Sequence, residues 1–450
     1  MSDTIYALST PMGRSGIAVI RVTGKQALEG YKILAKENNL PTPRHAITKR
    51  LYSPTTGHMI DHALVLTFQA PNSFTAENMV EYHVHGGQAI IQALLAALSI
   101  CPHHRMAEPG EFTRRAFENG KMDLTQAEAI ADLIHAETEA QRLQALEQME
   151  GALYHLYEGW KDRLAKLLAL MEADLDFSDQ DLPEDIIFKV SPDISDILTE
   201  IKNHLDDGRR GELLRDGFRL VIIGEPNVGK STLLNQLTKR DVAIVSPIAG
   251  TTRDVIETHI NLGGYPVILM DTAGLRGTED SIEQEGITRA LKKADEADIV
   301  LQVLDAESLR RNQPINNTHL QSLSEKIILV VNKSDTITDT GRESISQSLK
   351  MPAIFMAAHT GHNIDKLLEG IVSRIAALTT PRSTPSLTRT RHREALSRAY
   401  DCLLRSQQAP LPELVAEDLR LAVRALGSLT GRVDVEDLLD MIFRDFCIGK

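Results

Sequence analysis

The sequence predicts a multidomain chain of mixed α+β and α/β class, with helical segments on both sides of the α/β part. Three observations carry that expectation. Short β-rich runs broken by Gly, Pro and Asn fill the opening segment, apolar spacing turns helical after Asp123 and again toward Lys450, and between the helical stretches strands alternate with helices. A length of 450 residues gives material for two to four domains, each able to bury its own core. The composition, 42% hydrophobic and 25% charged, is that of a globular protein. No apolar run approaches the roughly 18 residues a membrane span needs, so no membrane partner is expected. The opening "MSDTIYALST" lacks the basic and apolar regions of a signal peptide. A formal charge of -13 excludes broad, unspecific nucleic-acid binding by the whole surface and leaves room for a local contact. Cys101, Cys402 and Cys447 lie far apart and form no metal-type pair, which fits a reducing compartment and a cytoplasmic location.

Taken in order, residues 1–118 carry strand-like "GIAVIRVTG" and "HALVLTFQ" and a helix-like "AIIQALLAAL", and read as an α+β domain. Residues 119–215 read as the first part of a helical domain. Leu124, Ala127, Ile130 and Ile134, then Leu153, Leu156, Trp160, Leu164, Leu167 and Met171, form one apolar face, with Asp123 as N-cap and Gly151 as the interruption. Over residues 216–378 the runs "FRLVIIG", "YPVILMD", "ADIVLQVLD", "KIILVVN" and "PAIFMAA" predict a mainly parallel sheet covered by helices. "TTPRSTPSLTRTRHRE" reads as an exposed basic connector. Residues 379–450 then supply the second helical part, "PELVAEDLRLAVRALGSL" and "DVEDLLDMIFRDF". In the last helix Asp434 is the expected N-cap, and Leu438, Leu439, Ile442, Phe443 and Phe446 are the expected docking face, before a "CIGK" tail. One helical domain with an α/β domain inserted into it is the simplest arrangement.

"GEPNVGKS", Gly224 to Ser231, lies between the strand "RLVII" and the helix "TLLNQL" and matches a phosphate-binding loop. The backbone of Asn227, Val228, Gly229, Lys230, Ser231 and Thr232 would curl round phosphates, Lys230 would reach the β and γ oxygens, and the Ser231 hydroxyl would bind Mg²⁺. "DTAG" (Asp271, Thr272, Ala273, Gly274) follows a strand, where Asp271 can reach the magnesium shell and the Gly274 amide the γ-phosphate. In "NKSD" (Asn332, Lys333, Ser334, Asp335), Asp335 can accept both the ring and the exocyclic N–H of guanine, a donor pair adenine lacks, so the nucleotide is GTP. The α/β segment resembles the translation-factor-like GTPases. In that pattern Thr252 of "GTTRD" closes on Mg²⁺, and the last guanine box, here Ala357, Ala358 and His359, must act through its backbone. Leu275 stands where Ras-type enzymes carry a water-orienting Gln. Glu283 is the best-placed replacement. Glu279, Asp280 and Glu285 compete with it, and all four also suit a helix N-terminus.

"STPMGRSGIAVIRVTG", "PNSFTAENMVEYHVHGG", "EPGEFTRRAFENGKMDLTQAEAIADLI" and the closing "FCIGK" resemble, in this order and across the full length, the MnmE (TrmE) family of tRNA-modification GTPases. The resemblance implies an N-terminal tetrahydrofolate-binding domain, a helical domain and an inserted P-loop GTPase domain. It implies a homodimer, which joins the flavoprotein MnmG in a heterotetramer. That complex adds an aminomethyl or carboxymethylaminomethyl group to C5 of the tRNA wobble uridine, with the carbon drawn from 5,10-methylenetetrahydrofolate or bound as a 5-formyltetrahydrofolate analogue. By motif position Arg21, Glu81, Lys121 and Lys450 contact the folate, and Cys447 is a candidate catalytic group. K⁺ takes the place of an arginine finger, held by Asn227, Ser246, Ile248 and Thr251 of the P-loop and of "SPIAGT", in which Pro247, Ala249 and Gly250 also face the nucleotide, and Glu283 orients water. This chain departs from the family at Ala76-Glu77-Asn78, where Gly-Glu-Asp is usual, and at Val84, where Cys is usual. "RTRHRE" is either a local tRNA contact or a solvated linker. The alternative reading is a regulatory GTPase switch in ribosome assembly without tRNA chemistry; such a switch has no use for Arg21, Glu81, Lys121 and "FCIGK" together.

Overall fold

The computed structural model describes residues 3–176, 186–240, 257–270, 292–311, 325–349, 351–380, 384–433, 436–444, 446 and 449. The chain divides into two compact units. One holds Met1–Ala131, Gln148–Ala169 and Leu419–Lys450; the other holds Asp132–Glu147 and Leu170–Asp418.

The first unit begins with β1 (Thr4–Leu8), β2 (Ser15–Thr23), α1 (Ala27–Ala35), β3 (Ile47–Tyr52), β4 (Met59–Phe68), β5 (Met79–Gly86), α2 (Gln88–Ile100), β6 (His104–Met106) and α3 (Glu111–Glu118). Its strands form one sheet in the order β3-β4-β5-β2-β1-β6. Alternation along β5 explains the layering: Val80, Tyr82 and Val84 are buried and join Ile20, Val22, Tyr31, Leu34 and Leu94 in the core under α1 and α2. Val84 is thus a core residue. Glu81, His83 and His85 are left to the opposite face, where α3 covers β1 through Ile5, Ala7 and Phe112. The strands foreseen at "GIAVIRVTG" and "HALVLTFQ" are β2 and β4. Strands β3, "ITKRLY", and β6, "HRM", carry too many charges on edge positions to announce themselves.

The helical run after Asp123 breaks twice, not once, into α4 (Leu124–His135), α5 (Glu139–Met149) and α6 (Ala152–Asp176). Asp123 is the expected cap: its Oδ1 accepts from the N–H groups of Thr125 at 2.7 Å and Gln126 at 3.3 Å, and Gln126 Oε1 in turn accepts from Asp123 N–H at 3.1 Å. The unforeseen break comes where Thr138 Oγ1 accepts from Gln141 N at 3.3 Å, a hydroxyl offering the backbone an alternative to continued helix. Ile134, assigned by spacing to the apolar face, is 37% exposed. Near the end of the chain, the last helix, Glu436–Arg444, returns to this unit. Its Leu439 and Phe443, followed by Phe446, pack on Leu124 and Ala127 as the docking face predicts, while Asp434 lies outside the described residues. Gly110, the N-cap of α3, takes φ 67 and lies directly under the Phe443 carbonyl.

From the second unit onward the chain runs α7 (Ile186–Leu205), α8 (Arg210–Asp216), β7 (Phe218–Ile223), α9 (Lys230–Arg240), β8 (Glu257–Leu262), β9 (Tyr265–Met270), β10 (Ile299–Asp305), α10 (Ala306–Arg310), β11 (Ile327–Asn332), α11 (Asp339–Ser348), β12 (Ala353–Phe355), α12 (Ile364–Leu378), α13 (Thr390–Gln408), α14 (Pro412–Thr430) and α15 (Glu436–Arg444). Strand order is β12-β11-β10-β7-β9-β8, parallel throughout except that β8 pairs antiparallel with β9. The parallel strands are the five foreseen. Edge strand β8, "ETHINL", was missed because its alternating polar residues resemble a loop.

The basic connector is corrected by the structure. Leu387, Thr388 and His392 are buried, and α13 begins within it at Thr390. Arg389 pairs with Asp132 at 2.7 Å, and Arg393 with Asp207 at 2.8 Å and Glu212 at 3.2 Å. Arg210 donates to the carbonyls of Thr380 at 2.7 Å and Thr384 at 3.0 Å. The guanidinium forks satisfy internal carboxylates and backbone carbonyls, so these positions are neither a solvated linker nor a basic patch.

Candidate functional site

Parallel strands β7, β10, β11 and β12 end on one edge of the second sheet, and the loops leaving that edge form the candidate nucleotide site. Buried Leu220, Val221, Ile222 and Ile223 anchor β7 up to the loop, whose tip, including Asn227 at φ 63, is exposed. Gly224 at φ 151 and Gly229 at φ 99 are required there: a Cβ would meet the Val303 carbonyl of β10 at the first and the Asn332 amide at the second. Lys230 opens α9, so the first N–H groups of that helix, including those of Ser231 and Thr232, lack helical acceptors and face the loop. Lys230 Nζ donates to the carbonyls of Gly224 at 2.8 Å and Glu225 at 2.7 Å, holding the ammonium over the loop. Burial lowers its pKa, against the opposing charge of Glu225.

Asn332 is the brace of the site. It is 3% exposed; its Nδ2 donates to Val228 O at 2.7 Å and its Oδ1 accepts from Ala358 N at 2.8 Å, joining the phosphate loop to the last guanine loop. Ser334 is buried and donates its N–H to Met356 O at 3.0 Å, and Gln236 Nε2 donates to Ala358 O at 3.1 Å. These contacts leave Asp335 and His359 exposed at the rim, with Ala357 and Ala358 buried beneath. Lys333, at φ 58, is fixed by Asp305 at 2.6 Å. Burial pushes the Asp305 carboxyl up, yet the bonds from Lys333 and from the N–H groups of Ser308 and Glu307 hold it below its ordinary value. Asp305 was not read from the sequence; its position at the end of the buried strand "ADIVLQVLD" was the available signal.

The arrangement fits a nucleoside triphosphate, with exposed Ser231 and the Asn227 tip as described oxygen donors for cations. Among the described residues no cluster of three His, Cys, Asp or Glu is arranged for a metal, and no helix is long and apolar enough to cross a membrane. Ser246, Pro247, Ile248, Ala249, Gly250, Thr251, Thr252, Asp271, Thr272, Ala273, Gly274 and Glu283 lie outside the described residues, as do Cys447 and Lys450.

In the first unit the β2–β5 register sets Arg21 beside Glu81. Arg21 reaches Glu81 Oε1 through Nε at 3.0 Å and Nη2 at 2.9 Å. The guanidinium also lies over the rings of Phe74 at 5.5 Å and Phe112 at 6.0 Å. One residue pair further along this face, Glu77 accepts from Thr23 Oγ1 at 3.2 Å and pairs with Arg115 at 3.2 Å. Glu77, Arg105, Glu111, Arg115 and Phe443 line a cavity of about 570 Å³. Ala76 occupies the left-handed region at φ 60, a conformation that a glycine takes more readily. Lys121 is exposed in the turn after α3, where its N–H donates to Ala116 O at 2.8 Å. Ser9 Oγ donates to Gly449 O at 3.0 Å, so the tail meets the loop after β1. His83, missed in the sequence, sits beside Glu81 with its Nε2 sealed from solvent and without a hydrogen-bond partner among the described residues. The partly exposed Arg21–Glu81 ion pair, stacked beside Phe74, offers a polar edge to a ligand.

Residues 4–121 match the family description "GTP-binding protein TrmE N-terminus", and residues 124–447 match "MnmE helical domain". The tRNA modification GTPase MnmE of Parvibaculum lavamentivorans is 50% identical over 452 residues, covering 100% of both chains. That of Rhodospirillum rubrum is 47% identical over 460 residues, covering 100% of this chain and 99% of the relative. The mitochondrial 5-taurinomethyluridine-[tRNA] synthase subunit GTPB3 of Homo sapiens is 45% identical over 460 residues, covering 99% and 93%. A match of this extent over both the sheet domain and the helices, around a phosphate loop built as described, means that the chain belongs to the MnmE family of tRNA modification GTPases.

Proposed function

We propose that this chain is a potassium-activated GTPase which, as a homodimer with the flavoprotein MnmG, modifies C5 of the tRNA wobble uridine in the cytoplasm using a folate one-carbon unit. Residues 1–118 form the folate-binding domain in this reading, 119–215 and 379–450 the helical domain, and 216–378 the GTPase domain. The observation that carries the nucleotide half is Asn332 joining the phosphate loop to the guanine loop, which sets Lys230 and Asp335 on one sheet edge. For the folate half it is the Arg21–Glu81 pair against Phe74 and Phe112.

Lys230 and the N–H groups opening α9 hold the β and γ phosphates; Asp335 selects guanine; Ser231 and Thr252 hold magnesium; Asn227 with Ser246, Ile248 and Thr251 holds potassium; and Glu283 orients water. The two cations, when bound, neutralise charge developing on the phosphate oxygens. Arg21, Glu81, Lys121 and Lys450 orient the folate, which would supply a one-carbon unit when bound, and Cys447 is the candidate catalytic thiol.

Hydrolysis of GTP by the full chain is expected to be about 100-fold faster in potassium than in sodium buffer at equal ionic strength. Equal slow rates in both would remove the cation mechanism. A titration of 5-formyltetrahydrofolate is expected to weaken by about 10- to 100-fold in Arg21→Ala, since a charge-assisted contact is lost. An unaltered affinity would count against the pocket.

A further inference from the structure

Asp305 ends β10 in register with Asn332, the last residue of β11, and so stands where the chain turns toward Asp335. Its two carboxylate oxygens do different work. Oδ1 accepts from the N–H groups of Glu307 at 2.8 Å and Ser308 at 3.2 Å and so caps α10. Oδ2 pairs with Lys333 Nζ at 2.6 Å. Lys333 takes the left-handed region at φ 58, where side chains with a Cβ are rarely found. Directly after it Ser334–Thr336 form a single 3-10 turn, in which Thr336 N–H donates to Lys333 O at 3.1 Å and the buried Ser334 donates its N–H to Met356 O at 3.0 Å. That turn leaves Asp335 exposed at the rim.

A residue in an unfavourable backbone region persists only where its surroundings fix it. Asp305, 12% exposed, fixes the far end of Lys333, whose side chain is 42% exposed. We propose that Asp305 is a positioning residue for the nucleotide base: through Oδ2 it pins Lys333, and with it the left-handed turn that aims Asp335. This rests on Asp335 as the guanine-selecting residue and deepens that reading, because a turn ordered in advance spares the ligand the cost of ordering it. The phosphate loop is held by other contacts, those of Lys230 with Gly224 and Glu225 and of Asn332 with Val228, so loss of the pin acts on affinity and not on hydrolysis of bound GTP.

The test is a GDP titration with steady-state GTP hydrolysis on the full chain. Asp305→Asn keeps Oδ1 for the cap and sets an N–H donor against the ammonium in place of Oδ2. It is expected to melt with the unaltered chain, to raise Kd for GDP and KM for GTP about tenfold, and to leave kcat as it was. Lys333→Met leaves the cap untouched and is expected to lose as much, and adding Asp305→Asn to it should cost nothing more. Asp305→Ala, which removes the cap as well, should also melt lower. Normal GDP binding by Asp305→Asn or Lys333→Met, or losses that add in the double variant, overturns the role of Asp305; if Asp335→Ala loses GDP in the same assay, the guanine reading stands. Should Asp335→Ala also bind GDP normally, the guanine site is misplaced and the inference goes with it.

Discussion

Asn332→Ala is expected to cost about 2–5 kcal/mol of stability and to weaken GTP binding by about 100-fold or more. Its amide makes two buried bonds, to Val228 O at 2.7 Å and from Ala358 N at 2.8 Å, and alanine leaves both main-chain groups without partners in a dry place. The loop after β7 and the loop after β12, the candidate phosphate and guanine loops, would then part. Calorimetry and nucleotide titration measure the two effects. Asn332→Asp separates packing from bonding, because it keeps the acceptor for Ala358 N–H and sets a carboxylate against the Val228 carbonyl. It should fare no better than alanine, and an intact affinity in either variant would show that the two loops do not depend on this side chain.

Gly110→Ala is the second large effect, in the other unit. Gly110 sits at φ 67, and a Cβ there would stand 2.6 Å from Phe443 O and 3.0 Å from the Cβ atoms of Phe443 and Phe446. Backbone strain and overpacking together should cost about 2–4 kcal/mol. The least costly relaxation is for α15 to leave α3, which would withdraw Phe443 and Phe446 from Leu124 and Ala127. A lower melting temperature, faster proteolysis after residue 430 and weaker 5-formyltetrahydrofolate binding are the expected readouts. A variant that melts normally and keeps its last helix protected would contradict this account.

What the sequence disclosed depended on how local the cause was. The phosphate loop is contiguous, its glycines are required by backbone approach and the strand before it is a buried apolar run, so it was legible residue by residue. Strand β8 was not, because an edge strand with polar alternation has no apolar run to betray it. The connector around Arg389 and Arg393 was misread for the opposite reason: its charges are matched by Asp132, Asp207 and Glu212, remote in sequence. Asn332 was seen as part of a guanine motif, yet its bracing role depends on Val228 and Ala358, which other strands deliver. Arg21 and Glu81 were named through resemblance, and the register that pairs them is a property of the sheet. His83 had a local signal in its alternation with Val80, Tyr82 and Val84, but the isolation of its Nε2 is a tertiary fact.

The bond between Ser9 and Gly449 spans 440 positions. During translation the amino-terminal sheet emerges early and must wait for almost everything else to be made before this fastening can close. Carboxy-terminal proteolysis would therefore undo this fastening without cutting any strand of the sheet, so damage at one end of the chain would be felt at the other.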